Sequence, residues 1–151
     1  PHLRESALRE QLGVTEVADP EQYDQRFYWG VGNPKLLNDR EESDQQGNPM
    51  YVKVLGVVDG QPAMVDSAER LVTKGLKSQW TAQVKDTAGK MLAQTDWMVV
   101  RKAERNVAIP ADVVTKRAAI VAECDRLEAA IAACTTVEAL IAVVGNQNWG
   151  E

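Results

Sequence analysis

Two stripes of apolar residues at helical spacing govern what this chain can become. Leu76, Trp80, Val84, Ala88 and Met91 recur at intervals of four and then three, and Ile120, Cys124, Leu127, Ile131 and Cys134 are spaced four, three, four, three. Neither stripe can form a core alone, so each requires a second surface to cover it. The second stripe follows a heptad seam that begins at Val113, but Arg117 occupies the seam position before Ile120. About two clean heptads fall short of the three or four that a coiled coil demands. The pattern therefore predicts an antiparallel helical hairpin within the chain in preference to a coiled coil between chains. Composition agrees: one Phe and three Tyr accompany four Trp, a balance that suits thin, Ala-lined helical packing.

Cys124 and Cys134 lie on that same helical pattern. An axial rise of about 1.5 Å per residue separates them by roughly 15 Å, which excludes a disulfide inside the helix. They read as small buried hydrophobes, with a bond between chains across a helical seam as the sharper alternative.

The remainder divides into shorter signals. Leu3, Ala7, Leu8 and Leu12 have helical spacing and Gly13 supplies a stop, giving an N-terminal helix too short to stand without docking on something. Phe27, Tyr28 and Trp29 form the only aromatic cluster, expected as a short extended segment that either plugs the core or serves as an exposed anchor. Asn38 to Pro49 is acidic and polar and reads as a loop. Tyr51 to Val58, then Asp59-Gly60, then Gln61 to Val65 is a hairpin signal, and Pro62 puts the return strand at an edge. Ser67 to Ala93 reads as a helix weakened by Gly75 and Gly89. A further helix runs from Trp97 to about Asn106, capped by Thr95 or Asp96. The next has Pro110 in its first turn and Asp112 placed well against the dipole. Thr135 and Glu138 form a capping box for a last helix, Val137 to Val144, ending at Gly145. Trp80 and Trp97 are expected in the core, joining helices. Trp149, in the polar tail, either folds back as a lid or is offered to a partner.

The predicted fold is mainly α within an α+β class: a C-terminal helical hairpin or short bundle with a small β-hairpin and an N-terminal helix. Its expected divisions are 1–35 (N-terminal helix and aromatic attachment segment), 36–66 (acidic loop and hairpin insert) and 67–151 (helical module).

Catalytic groups are scarce. The single histidine, His2, sits at the terminus, so neither a Ser-His-Asp arrangement nor a zinc site can be assembled from the residue types present. Gly30-Val31-Gly32 leads into Asn33-Pro34 and lacks the third glycine and helix start of a phosphate loop. Asp39, Glu41, Glu42 and Asp44 precede Gly47, but without the ligand order or closing Glu of a calcium loop. No metal or cofactor is expected, and no enzyme. A net charge of −5 with basic residues interleaved among acids lacks the basic stripe of a nucleic-acid binder. No run approaches the roughly 18 apolar residues of a membrane span and no signal pattern opens the chain; a soluble cytoplasmic protein is expected. What remains is an excess of surfaces that need covering. Leu3, Leu8, Leu12, Phe27, Tyr28, Trp29 and Trp149 are the candidate partner-binding residues, and Ile120, Cys124, Leu127, Ile131 and Cys134 the helix seam.

The run Thr95-Asp96-Trp97-Met98-Val99-Val100-Arg101-Lys102-Ala103-Glu104, followed by Ala108-Ile109-Pro110, resembles a small module of tailed-bacteriophage tail fibre assembly and tail assembly chaperone-like proteins. Leu76 to Lys85, Arg117 to Ile120 and Tyr23 to Trp29 fit the same pattern, so the resemblance spans Gln22 to Trp29 and Leu76 to Trp149. It implies a tail role in the host cytoplasm during assembly and then in the virion tail. The expected partner is a tail fibre or baseplate protein, with homo-oligomerisation open. The 39–65 insert departs from the shortest versions of the module and favours a retained structural or connector component over a transient fibre assembly chaperone. A small metal- or ligand-binding protein acting through the acidic loop is the remaining alternative.

Overall fold

The two stripes meet each other. A computed structural model describes residues 11–13 and 18–150; the N-terminal helix expected over Leu3, Leu8 and Leu12 lies outside those residues except for Leu12, which is exposed. The fold is mixed α+β. Helices α1 (Leu76–Ala93) and α3 (Ala111–Ala133) pack along their lengths. They run antiparallel: Lys77 at the start of α1 donates from Nζ to the carbonyls of Ala132 (2.7 Å) and Cys134 (2.9 Å) at the end of α3. At the other end Arg117 reaches the Leu92 carbonyl at 2.8 Å. Lys77 thereby occupies the unsatisfied carbonyls where α3 stops, which is also the favourable end of its dipole for a cation.

Helix α4 (Val137–Val144) folds back and buries Val137, Leu140 and Val144 against Leu127 and Ile131. Its cap is Thr136, whose hydroxyl accepts from the Ala139 amide at 3.1 Å. This corrects the expected Thr135–Glu138 box by one residue, and Glu138 instead accepts from the Tyr28 hydroxyl at 3.1 Å. Phe27 closes the core from the N-terminal side, fully buried and stacked on Trp80 with ring centroids 5.3 Å apart and planes 5° from parallel. An aromatic pair of this kind adds about 0.5–1.5 kcal/mol beyond the area it buries.

Among the described residues six strands pair two by two: β1 (Tyr28–Gly30) with β2 (Asn33–Pro34), β3 (Arg40–Glu41) with β6 (Val72–Thr73), and β4 (Tyr51–Val58) with β5 (Gln61–Arg70), all antiparallel. Two expectations fail here. Asn38 to Pro49 is not wholly loop, since Arg40 and Glu41 pair with Thr73 and Val72. Ser67 to Arg70 is strand, not helix: Arg70 pairs with Tyr51, its guanidinium lies over the Tyr51 ring and bridges to Glu41 at 3.1 Å. Ser, Ala, Glu and Arg favour a helix locally, but pairing across the ribbon overrides that weak preference.

The start of α1 explains why the insert is not an ornament. Its first free amides are taken by residues 36–39: Gly75 N–H donates to Asp39 Oδ1 (2.8 Å), Leu76 to the Leu36 carbonyl (2.7 Å) and Lys77 to the Leu37 carbonyl (3.0 Å). The approach is so close that a Cβ on Gly75 would sit 2.5 Å from the Asn38 and Leu37 carbonyl oxygens. Gly75 is therefore a contact point, where the sequence suggested only a weakness in a helix.

The short helix α2 (Asp96–Arg105) ends at Asn106, in the left-handed conformation with φ 55°. None of its residues is buried. Trp97 is 54% exposed, which overturns the expectation that it joins Trp80 in the core. The reason is register: α2 turns away after Thr95, so Trp97 faces outward while Trp80 faces α3.

Candidate functional site

Among the described residues, the β4–β5 ribbon is an uncovered apolar surface, with Leu55, Val57 and Met64 all mostly exposed. Asp59 and Gly60 both take positive φ (50° and 77°), the tight turn that matches strand twist and for which Asp-Gly is favoured. Below it the pairs are Val58–Gln61, Val57–Pro62, Gly56–Ala63, Leu55–Met64, Val54–Val65 and Lys53–Asp66. Side chains alternate faces along a strand. Val54, Gly56 and Val58 therefore share one face with Val65 and Ala63, and Leu55 and Val57 share the other with Met64 and Pro62. Apart from Gln61, which pairs with Val58 beside the turn, both faces are apolar from Val54 to Val65. Leu55 is 75% exposed, Val57 71% and Met64 60%, and β4 and β5 pack chiefly on each other. At about 3.3 Å per residue the eight residues of β4 make an arm of roughly 26 Å.

Gly56 has a definite job in the arm. A Cβ there would lie 2.7 Å from Val65 Cγ2, so the small pair Gly56–Ala63 leaves a waist between Val54–Val65 and the turn. On the opposite face Leu55 and Met64 make a ridge.

The candidate partner-binding residues of the sequence separate. Phe27 belongs to the core, so it is corrected from a docking residue to a structural one. Tyr28 is half-buried and tied to Glu138. Trp149 folds back half-buried against the core, its indole N–H donating to Gln147 Oε1 at 2.9 Å. Trp29 is displayed, as exposed as Leu12 at 70%, with Lys35 Nζ 4.6 Å from its ring centroid. It borders a polar groove of about 550 Å³ whose walls include Asn33, Arg40, Thr73 and Gln79. Leu3 and Leu8 lie outside the described residues. The seam residues Ile120, Leu127, Ile131 and Cys134 are buried and Cys124 half-buried. Leu127, Ile131 and Cys134 sit in the core cluster with Trp80 and Val84 of α1. Cys134 Sγ lies 3.2 Å from the Ala130 carbonyl, and burial, together with the Glu128 carboxylate, raises the pKa of the Cys124 thiol. Cys124 is therefore not presented as a thiolate.

The carboxylates of the acidic stretch point to different tasks. Asp39 caps α1, bridges Lys74 at 3.0 Å and is held down to about 2 by hydrogen bonds from Ser78, the Gly75 amide and Lys74. Glu41 pairs with Arg70. Glu42 accepts from Thr73 Oγ1 (2.6 Å) and Arg40. Asp44 closes a local turn, accepting from the Gln46 and Asn48 amides. Among the described residues no three His, Cys, Asp or Glu side chains converge in a way that could hold a metal ion. No helix among them is long and apolar enough to cross a membrane.

No family model matches the chain, and no curated protein or solved structure matches it either.

The hairpin edge is one of the surfaces that the sequence leaves in need of a partner, since a two-stranded ribbon must pack on helices or add to a neighbour's sheet, although none of its residues stands among the candidate binding residues. From Val54 to Val65 the only polar side chains are Asp59 in the turn and Gln61 beside it. A ribbon with one solvated face alternates apolar and polar residues; the lack of alternation marks two faces meant for cover.

Proposed function

We propose that this chain is a non-enzymatic tail protein of a tailed bacteriophage, which holds a tail fibre or baseplate protein as a structural or connector component. The observation that carries the binding part of this reading is the β4–β5 arm, apolar on both faces with Leu55, Val57 and Met64 mostly exposed. Exposed apolar surface of this kind marks an interaction site. The likeness of Thr95 to Pro110 to phage tail modules supplies the setting. In this reading the C-terminal helical hairpin is the scaffold, Asp39 and Gly75 lock the insert to it, and the arm and Trp29 make the attachment. The protein is made in the host cytoplasm and remains in the virion tail.

Quantitative mass spectrometry of purified particles tests the assignment. Abundance at fibre or baseplate stoichiometry supports a retained component. Absence from particles, with binding to nascent fibre in lysed cells, shifts the reading to a transient chaperone, and absence from both removes the tail role.

A further inference from the structure

We infer that a second copy of this chain adds to the free edge of β4, joining two arms into a four-stranded antiparallel sheet. This deepens the proposal above and rests on reading the arm as a binding element. The tight turn decides which backbone groups point outward. With a two-residue loop, Val58 and Gln61 exchange both hydrogen bonds across the ribbon, and pairs alternate from there. Val57, Leu55 and Lys53 therefore turn their N–H and C=O groups away from β5, while Pro62, Met64 and Asp66 turn theirs away from β4.

The two edges are not equivalent. Pro62 offers no donor on the outer side of β5. Farther down, two steps along β4 from Lys53 to Tyr51 answer four along β5 from Asp66 to Arg70, a bulge that bends this edge, and Glu69 adds charge beside it. A proline, a bulge and charges are the devices that blunt an edge against further pairing. Between Leu55 and Val58 the β4 edge has none of them.

The open stretch also matches itself. Laid antiparallel about Leu55, Leu55 meets Leu55, and Lys53 of each copy falls opposite Val57 of the other. Like charges are not opposed, and about six outward backbone hydrogen bonds form. The ridges of Leu55, Val57 and Met64 from both arms then become one continuous face. Because β5 is guarded, addition stops at two and the pair closes on a two-fold axis, where two open edges would give a filament.

Sedimentation of the full chain over a concentration series tests this. The wild type is expected to approach twice the chain mass. Val57→Pro copies the block of Pro62 onto β4 without touching a bond inside the ribbon and should leave a monomer that melts as the wild type does at concentrations too low for pairing. Leu55→Lys places like charges opposite each other and should weaken the pair by about tenfold or more; it keeps the test intact if Val57→Pro disturbs the arm. Pro62→Val should open the second edge and produce species larger than two. A wild type that stays monomeric throughout, or a dimer indifferent to both β4 variants, overturns the inference. If that monomer still enters particles and Leu55→Lys prevents it, the pair is wrong and the arm remains an attachment element; if Leu55→Lys enters equally well, both readings fall.

Discussion

Arg117 of α3 holds Asp96 at the start of α2, with Nη2 2.9 Å from Oδ1, while its Nη1 donates to both the Leu92 carbonyl and the Thr95 hydroxyl at 2.8 Å. The residue that interrupts the heptad seam is thus the clamp on the α1–α2 turn. One guanidinium fork serves three acceptors, a geometry that a single ammonium cannot copy. Since α2 fully buries none of its own residues and only Met98 and Arg101 are half-buried, this clamp carries much of its positioning.

Arg117→Ala should therefore cost about 1.5–3 kcal/mol, the range for hydrogen bonds to charged groups, and Arg117→Lys should recover only a part. Urea unfolding gives the stability, and amide hydrogen exchange should show the loss concentrated in Asp96 to Arg105.

Phe27 and Trp29 are two residues apart and should respond in opposite ways. Phe27→Ala opens a cavity beside Trp80 and is expected to cost about 3–5 kcal/mol. Trp29→Ala removes an exposed ring and should stay within about 1 kcal/mol of wild type. Equal losses in thermal melts would contradict the placement of Phe27 in the core.

Gly75→Ala forces a methyl against the Asn38 and Leu37 carbonyls and should destabilise by about 1–3 kcal/mol, as overpacking does. Gly89→Ala, with open space around it, should gain up to about 1 kcal/mol from helix propensity alone. Denaturation midpoints of the two variants should move apart.

Acid should loosen the insert late. Asp39 ordinarily titrates near 3.8 and is held at about 2 in the fold, so its folded-state pKa is depressed. The stability it contributes is fully present above 3.8 and is lost as pH falls from there towards about 2. Glu123 behaves with the same sign. Its pKa is lowered from the ordinary 4.5 by the Arg126 guanidinium and the Asn148 amide, so the hold on the tail persists below 4.5 and fades as the carboxylate protonates. Trp149 fluorescence against pH follows the tail; in Glu123→Gln the acid transition should disappear.

The double variant Val57→Ser, Met64→Ser should leave the unfolding midpoint within about 0.5 kcal/mol per site, because both side chains are already mostly in water. Incorporation into particles, measured by immunoblot, should fall sharply. A loss of stability with normal incorporation would place the arm inside the fold instead of at an interface.

Where local chemistry decides structure, the sequence was a sufficient guide. Asp59-Gly60 marks the tight turn, Val137 to Val144 with Gly145 marks the last helix, and the spacing of Ile120 to Cys134 marks the packed face of α3. Apart from the cap of the last helix, which falls on Thr136 and not Thr135, and the turn that carries Trp97 outward, the misses come from a partner far away along the chain. Asp39 looks like one acid in a solvated run until Gly75, 36 residues on, presents its amide. Ser67 to Arg70 looks helical until Tyr51 and Glu41 lie beside it. Trp97 looks like core until the turn at Thr95 swings α2 outward. The exposed arm was visible as a hairpin and its unalternating run already carried its two-sided apolarity; the register adds which residue lies on which face.

The strict alternation along the arm has a consequence for its length. Removing one residue from each strand would exchange the ridge of Leu55 and Met64 for the waist of Gly56 and Ala63 beneath the turn, turning the tip half a revolution. Only steps of two residues per strand, about 7 Å of reach at a time, keep each face intact. Related chains that reach partners at different distances should therefore differ here by insertions of four residues, with everything from Leu76 onward untouched.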